Sequence, residues 1–307
     1  MPQDIVILGV SVADTAYRAD RQPRMGETIM GTSFALGPGG KGSNQAVAAA
    51  RAGGAVHFIT RLGDDPFGQM ARDTWAEAGV TPQVITDPTS YTGAAYIFVE
   101  NSTGNNAIIV SPGAAAQISP ADIDANAALI GSAAVFVTQL EQPMDAALHG
   151  LTLARAGGAI TILNPAPAAP VSDAMLALCD YVTPNETEAE GITGIKVTDI
   201  NSATQAAENL IKRGAGAAIV TLGENGCLYH DGRTATHIPA LNAGPVKETT
   251  GAGDAFNGGL AAALARGLAP EDAIRFATAT AAISVTRPGT APSMPTLAEI
   301  EALLSQG

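Results

Sequence analysis

Short apolar runs rich in β-branched residues alternate with longer alanine-rich segments along almost the whole 307-residue chain, and this rhythm limits the possible folds more than any other feature. Ile5–Val10, Val56–Arg61, Ala134–Gln139, Ala159–Leu163, Tyr181–Thr183 and Ala217–Leu222 read as strands. Ser43–Ala52, Phe67–Ala78, Met144–Ala156, Ser202–Arg213, Asp254–Arg266 and Glu271–Thr286 read as helices. Strands and helices that alternate in this way make a parallel sheet covered by helices on both faces, so the expected class is α/β. Asp64-Asp65-Pro66 offers a helix cap followed by proline in the first turn, and Ser119-Pro120 repeats the device.

Two stretches break the rhythm. Ser11–Leu36 is polar and turn-rich, with Pro23 and Gly26, and Tyr91–Val110 reads as strands Gly93–Val99 and Ala107–Val110 joined by the turn Asn101–Asn106. Together they predict a small sheet projecting from the main body. Long insertions in α/β domains are often lids or binding loops, and a decorative hairpin is the plainer alternative. No repeat, low-complexity tract or linker divides the chain, so residues 1–307 are expected to form one domain.

Composition excludes several partners. With 16 Lys+Arg against 29 Asp+Glu the net charge is −13, and Lys41, Lys196, Lys212 and Lys247 are scattered, so no basic stripe exists to follow a nucleic-acid backbone. Hydrophobic residues at 46% and charged residues at 15% supply a large core. The start lacks a basic segment and runs into Ile5-Val6-Ile7-Leu8, which indicates neither signal peptide nor membrane span. Cys179 and Cys227 have no ligand-like spacing; reduced thiols in a cytoplasmic protein are the expectation. A chain so poor in cations can hold a polyanion only with helix N-termini, backbone amides and bound metal.

Glu248-Thr249-Thr250-Gly251-Ala252-Gly253-Asp254-Ala255-Phe256-Asn257-Gly258-Gly259 is the most informative segment. Its small residues let amides approach a ligand, and Leu260–Leu264 continues it as a helix, placing Gly251–Gly253 at a positive helix end suited to phosphoryl charge. Asp254, in the first turn, is placed to accept a proton from a substrate hydroxyl; an ordinary capping Asp is the alternative. Gly37-Pro38-Gly39-Gly40-Lys41-Gly42-Ser43-Asn44 also leads into a helix. It is not a Walker loop, because Gly42 stands where Ser or Thr must follow Gly-Lys, and Gln45 breaks the dinucleotide pattern, which disfavours a nicotinamide-dependent oxidoreductase.

With these two segments the chain resembles the ribokinase-like, or PfkB, family of carbohydrate kinases, and within it the ribokinase branch. The likeness continues through Gly63-Asp64-Asp65-Pro66-Phe67-Gly68, Gln139-Leu140-Glu141, Asn164-Pro165-Ala166-Pro167, Thr183 to Glu190, Thr221-Leu222-Gly223 and Val285-Thr286-Arg287-Pro288-Gly289, in order over essentially the whole chain. The resemblance implies a Rossmann-like αβα sandwich with a mostly parallel sheet and a small β lid, about 11–36 and 91–110, that pairs with a second subunit as a homodimer. It also implies transfer of the ATP γ-phosphoryl to the primary hydroxyl of a pentose, with D-ribose first. Deoxyribose, fructose, 2-keto-3-deoxygluconate, adenosine, or a catalytically inactive sugar-binding protein are the alternatives.

By that resemblance the catalytic base is Asp254 and the anion hole is Gly251, Ala252 and Gly253. Sugar contacts fall on Asp14, Gly40, Lys41, Asn44 and Glu141, whose groups suit vicinal hydroxyls that both donate and accept. Asn185 and Glu188 would meet the Mg²⁺·ATP phosphates mostly through water, although residues three apart at a helix start also read as a capping box. ATP would lie along Thr221-Leu222-Gly223-Glu224 and near Thr278. A monovalent cation, K⁺, would be held by Glu248, Thr250, Ser284, Arg287, Gly289 and Ser293. Two departures stand out: Glu248 replaces the family's usual Asp, and Val12 stands where ribokinase-type members carry Asn. The histidines His57, His149, His230 and His237 match no motif, and Trp75 is expected to pack from its helix.

Overall fold

The computed structural model describes residues 3–306. Its strands are β1 (Asp4–Leu8), β2 (Val12–Ala19), β3 (Ser33–Gly39), β4 (Ala55–Gly63), β5 (Thr81–Asp87), β6 (Thr92–Glu100), β7 (Asn106–Gly113), β8 (Val135–Thr138), β9 (Ile160–Leu163), β10 (Tyr181–Val182), β11 (Ala217–Thr221), β12 (Cys227–His230) and β13 (Ala235–Ile238). Its helices are α1 (Lys41–Arg51), α2 (Pro66–Ala78), α3 (Pro120–Asp124), α4 (Ala127–Ser132), α5 (Met144–Gly157), α6 (Asp173–Leu176), α7 (Glu186–Thr193), α8 (Ile200–Lys212), α9 (Ala252–Ala265), α10 (Pro270–Ser284) and α11 (Leu297–Leu304).

The main sheet runs β13-β12-β11-β10-β9-β8-β1-β4-β5, parallel from β11 to β5, with β12 and β13 antiparallel at one edge. Alternation along β1 divides the core. Ile5 and Ile7 pack with α1, α2, α9, α10 and α11, whereas Val6 and Leu8 pack with α5 and α8 on the other face. Trp75 is fully buried, edge-on to Phe58, and its indole donates to the Ser43 hydroxyl at 2.8 Å. No helix among the described residues is long and apolar enough to cross a membrane.

The α/β reading holds, with local differences. β1 stops at Leu8 rather than Val10 because the Val10 carbonyl accepts from Ser43 N at 3.1 Å, so this segment turns toward α1 instead of pairing. The rhythm also missed β5, β12 and β13. These stand at or beside a sheet edge, where β5 and β13 mix exposed with buried positions, so neither carries a continuous apolar run.

The two irregular stretches form a second sheet, β3-β2-β6-β7. Asp65 caps α2 through Gly68 N (2.8 Å) and accepts Thr92 N (2.7 Å), while Gly63 N donates to the Thr92 hydroxyl (3.0 Å). These bonds pin the base of β6 to the main body. Tyr17, Phe34, Leu36 and Ile109 are exposed, and Tyr17 packs its ring against Phe34 and Tyr96 at centroid distances of 5.1 and 5.6 Å.

Candidate active site

The carboxyl ends of β1, β8, β9, β10 and β11 open toward the N-termini of α1 and α9, which is where ligands sit in open α/β sheets. The cavity there holds about 150 Å³ and is lined by Lys41, Asn164, Ala166, Thr183, Asn185, Glu188, Thr221, Gly251, Gly253, Asp254 and Asn257. Gly251 caps α9 at φ +83°, a left-handed conformation that glycine adopts without strain. Ala252 N donates to the Thr249 carbonyl at 3.2 Å, so of the three amides expected in the anion hole, those of Gly251 and Gly253 remain to face the cavity.

Asp254 is 7% exposed in the first turn of α9. Its Oδ2 accepts from Asn44 Nδ2 at 3.0 Å and its Oδ1 from Gln45 Nε2 at 3.1 Å, both from the first turns of α1. Burial raises the Asp254 pKa; Lys41 and the two amides pull the other way. A carboxylate raised toward working pH yet held by donors suits a general base.

Two more carboxylates lie near. Burial and then the Asp254 charge push Asp14, on β2, up to about 6. Burial raises Glu141 to about 7 against the opposing Lys41 charge and N–H, with Asp254 and Asp14 adding to the rise. Glu141 Oε2 accepts the Lys41 backbone N–H at 2.8 Å, which satisfies a free donor at the start of α1. Burial by itself depresses the Lys41 ammonium, but Asp254, Glu141 and Glu188 outweigh it and hold the group charged. The structure thus brings Asp14, Lys41, Asn44, Glu141 and Asp254 together beside Gly40, and the lysine side chain reaches on into the cavity toward Asn185 and Glu188.

Asn185 and Glu188 do form a capping box on α7: Glu188 N donates to Asn185 Oδ1 at 2.8 Å, and Asn185 N to Glu188 Oε2 at 2.9 Å. Capping leaves the second Glu188 oxygen without a chain donor, and both residues line the cavity. Burial raises Glu188 against the pull of Asn185 N–H and Lys41. The uncapped Glu188 oxygen on a cavity of about 150 Å³ fits a cation that keeps part of its hydration shell. Thr221 joins this wall through a bridge to Asn185, and Leu222, Gly223 and Glu224 follow in a 3₁₀ turn, Gly223–Asn225. Thr278 lies apart from the cavity lining, buried on α10 with its hydroxyl donated to the Ile274 carbonyl at 2.9 Å.

The residues assigned to a monovalent cation come together only in part. Glu248 Oε2 accepts Gly289 N at 2.9 Å, joining the segment before α9 to the loop after α10. That loop touches the anion hole, since a Cβ on Gly251 would lie 3.3 Å from Thr290 Cγ2. The Ser284 and Ser293 hydroxyls donate to the Ala281 and Thr290 carbonyls, at 2.8 and 2.7 Å, and the Arg287 guanidinium pairs with Glu299 at 2.5 Å. The oxygen donor shown there is the second Glu248 oxygen, a hard carboxylate ligand of the kind an alkali cation takes.

Sequence reasoning missed a buried amide network behind Asp254. Gln45 Nε2 also donates to Asn164 Oδ1 (3.0 Å), and Gln139 Nε2 donates to Gln45 Oε1 (2.7 Å). Asn164 Nδ2 donates to the Thr183 carbonyl (3.1 Å), the Thr183 hydroxyl to Asn257 Oδ1 (2.6 Å), and Asn257 Nδ2 to the Gly253 carbonyl (2.8 Å). Gln139, Asn164 and Thr183 lie within motifs quoted for the family likeness and Asn257 within the second glycine-rich segment, which was the available signal; Gln45 directly follows the first.

An opening of about 150 Å³ at the strand ends, with an acid beside helix amides and a small sheet next to it, is an arrangement suited to phosphoryl transfer to an alcohol. Residues 2–297 match the pfkB family of carbohydrate kinases, and the chain belongs to that family. It is 37% identical over 300 residues to ribokinase of Haemophilus influenzae (97% of each chain) and 36% identical over 304 residues to deoxyribokinase of Salmonella typhi (98% of this chain, 99% of that one). Arabidopsis thaliana ribokinase complexed with ribose and ATP superimposes with a TM-score of 0.92 at 29% identity, covering 99% of both chains.

Proposed function

We propose that this chain transfers the γ-phosphoryl of ATP to the primary hydroxyl of a pentose, converting D-ribose to D-ribose 5-phosphate. The observation that carries this reading is Asp254, held by two amides at the open end of α9 beside the free Gly251 and Gly253 N–H groups. The sugar hydroxyl attacks the γ-phosphorus in line, its proton passes to Asp254, and the electron pair of the breaking P–O bond leaves with ADP. Gly251 and Gly253 amides take the developing charge, and the Lys41 ammonium faces the same space. Asp14, Asn44 and Glu141 hold sugar hydroxyls, and Thr221 to Glu224 line the nucleotide. Mg²⁺, when bound, neutralises phosphate charge; Asn185 and Glu188 would hold it through water. Glu248 and the neighbouring carbonyls would hold K⁺.

The small sheet acts as a lid over the sugar, and its exposed Tyr17, Phe34, Leu36 and Ile109 support pairing with a second copy of the chain, which sedimentation would register as a dimer. A second reading, 2-deoxyribose, is favoured by Val12, a buried apolar side chain two residues before Asp14 on the same face of β2. The test is ADP release and product identification over ribose, deoxyribose, fructose, 2-keto-3-deoxygluconate and adenosine, with and without K⁺. Ribose as best substrate, phosphorylated at its primary hydroxyl, supports the reading; no turnover of any pentose overturns it.

A further inference from the structure

We propose that Gln45 is a positioning residue that fixes which oxygen of Asp254 receives the substrate proton. The Gln45 amide is fully buried and can lie only one way round. Its nitrogen meets two acceptors, Asp254 Oδ1 at 3.1 Å and Asn164 Oδ1 at 3.0 Å, and its oxygen meets one donor, Gln139 Nε2 at 2.7 Å. Reversal would set the Gln45 oxygen against the oxygens of Asp254 and Asn164. Of these partners Asn164 is itself fixed, since its Nδ2 donates to the Thr183 carbonyl at 3.1 Å; Gln139 Oε1 is buried with no partner among the described residues, so the orientation of Gln45 rests on Asp254 and Asn164.

Asp254 Oδ1 therefore always faces a donor that cannot become an acceptor. A proton placed there would oppose O–H to N–H. The other oxygen differs. Oδ2 accepts from Asn44 Nδ2 at 3.0 Å, but Asn44 Oδ1 is buried and has no partner among the described residues, so nothing locks that amide. Asn44 can turn its oxygen toward a protonated Oδ2, and its unpaired oxygen is the natural acceptor for a sugar hydroxyl. As the substrate O–H breaks and the new O–P bond forms, the proton passes to Oδ2, and Asn44 adapts while Gln45 does not. Gln45 carries no titratable proton, so its effect is to keep Asp254 ionised and aimed.

The inference rests on Asp254 being the base, and the test separates the two. The charged groups facing Asp254 are Lys41 at the start of α1, Glu141 after β8, Asp14 on β2 and Glu188 on α7, and none is altered by the substitutions. Gln45→Met removes the donor at similar volume, and Gln45→Glu replaces it with a second carboxylate. In the full-length enzyme at saturating ATP and sugar, the acidic limb of kcat should move to higher pH by about one unit in Gln45→Met, and further in Gln45→Glu. The kcat should fall about 10-fold or more, with both KM values within about 3-fold of the parent. An unmoved limb in a folded Gln45→Met, whatever its rate, overturns the assignment and marks Gln45 as packing alone. If Gln45→Met fails to fold, Gln45→Leu, which removes the same donor in a smaller side chain, must move the limb the same way; an unmoved limb there overturns it equally. Full activity of Asp254→Asn would instead overturn the base itself.

Discussion

Val12 and Asp14 stand on one face of β2, so if Asp14 holds a sugar hydroxyl as proposed, the side chain at position 12 would set whether a neighbouring hydroxyl finds a partner. Val12 is buried beside Gly93 on the neighbouring strand β6, so an Asn of similar volume fits the space and adds a donor and an acceptor. Val12→Asn is expected to raise the ratio of kcat/KM for ribose over 2-deoxyribose by about 10-fold, the order of one well-placed hydrogen bond to a substrate hydroxyl. Coupled assays on the two sugars read it, and an unchanged ratio would remove Val12 from the specificity account. Asp254 was legible in the sequence because glycines, an acid and an apolar run lie within one short segment. The network behind it was less so: Gln139, Asn164 and Asn257 fall inside quoted motifs, but single amides spread along the chain show no shared role, and only the fold brings them with Gln45 to one point.

Helices α1 and α9 carry the two halves of the Asp254 cluster, and the distance between them is set by glycine. A Cβ on Gly258 would lie 2.5 Å from Ala48 Cβ and 2.7 Å from the Gln45 carbonyl oxygen, so the helices touch at backbone range one turn from Asp254. Gly258→Ala is expected to lower stability by about 1–3 kcal/mol, as overpacking does, and to lower kcat more than it raises either KM, because the wedge draws Asn44 and Gln45 away from Asp254. Denaturant melts and steady-state kinetics test this together; a variant with parental stability and kcat would contradict the close contact. The βα rhythm exposed these helices and the six inner strands, since period and burial act over neighbouring residues. Edge strands β5 and β13 escaped it because half-exposed positions dilute the apolar signal.

Over the whole molecule the acidity has two sides. A net charge of −13 coexists with a phosphate-sized cavity in which Lys41 is the cationic side chain, so free amides at α9 and bound cations must supply the remaining positive potential. The ligand-free protein bears the cost in its pH dependence. Glu141 rises from 4.5 to about 7 and Asp14 from 3.8 to about 6 on folding, so between those values the folded state holds protons that the unfolded chain has released. Their contribution is complete below the unfolded values and is lost as pH rises toward 7. Glu299, held at about 2 chiefly by its bond from Arg287, acts in the opposite sense, and only below about 4.5. The melting temperature of the free protein is expected to decline from about pH 4.5 to about pH 7, and Glu141→Gln to flatten the decline. Parallel curves for the two proteins would rule out a raised Glu141.

The proposed chemistry turns on Asp254 taking the proton of a sugar hydroxyl as phosphoryl transfer proceeds. Its most direct measurement is single-turnover transfer from ATP to ribose by Asp254→Asn, with ribose binding measured by calorimetry on the same sample. The expected rate is lower by about 100-fold to 10,000-fold, with ribose affinity within about 3-fold of the parent. Transfer at the parental rate would contradict it.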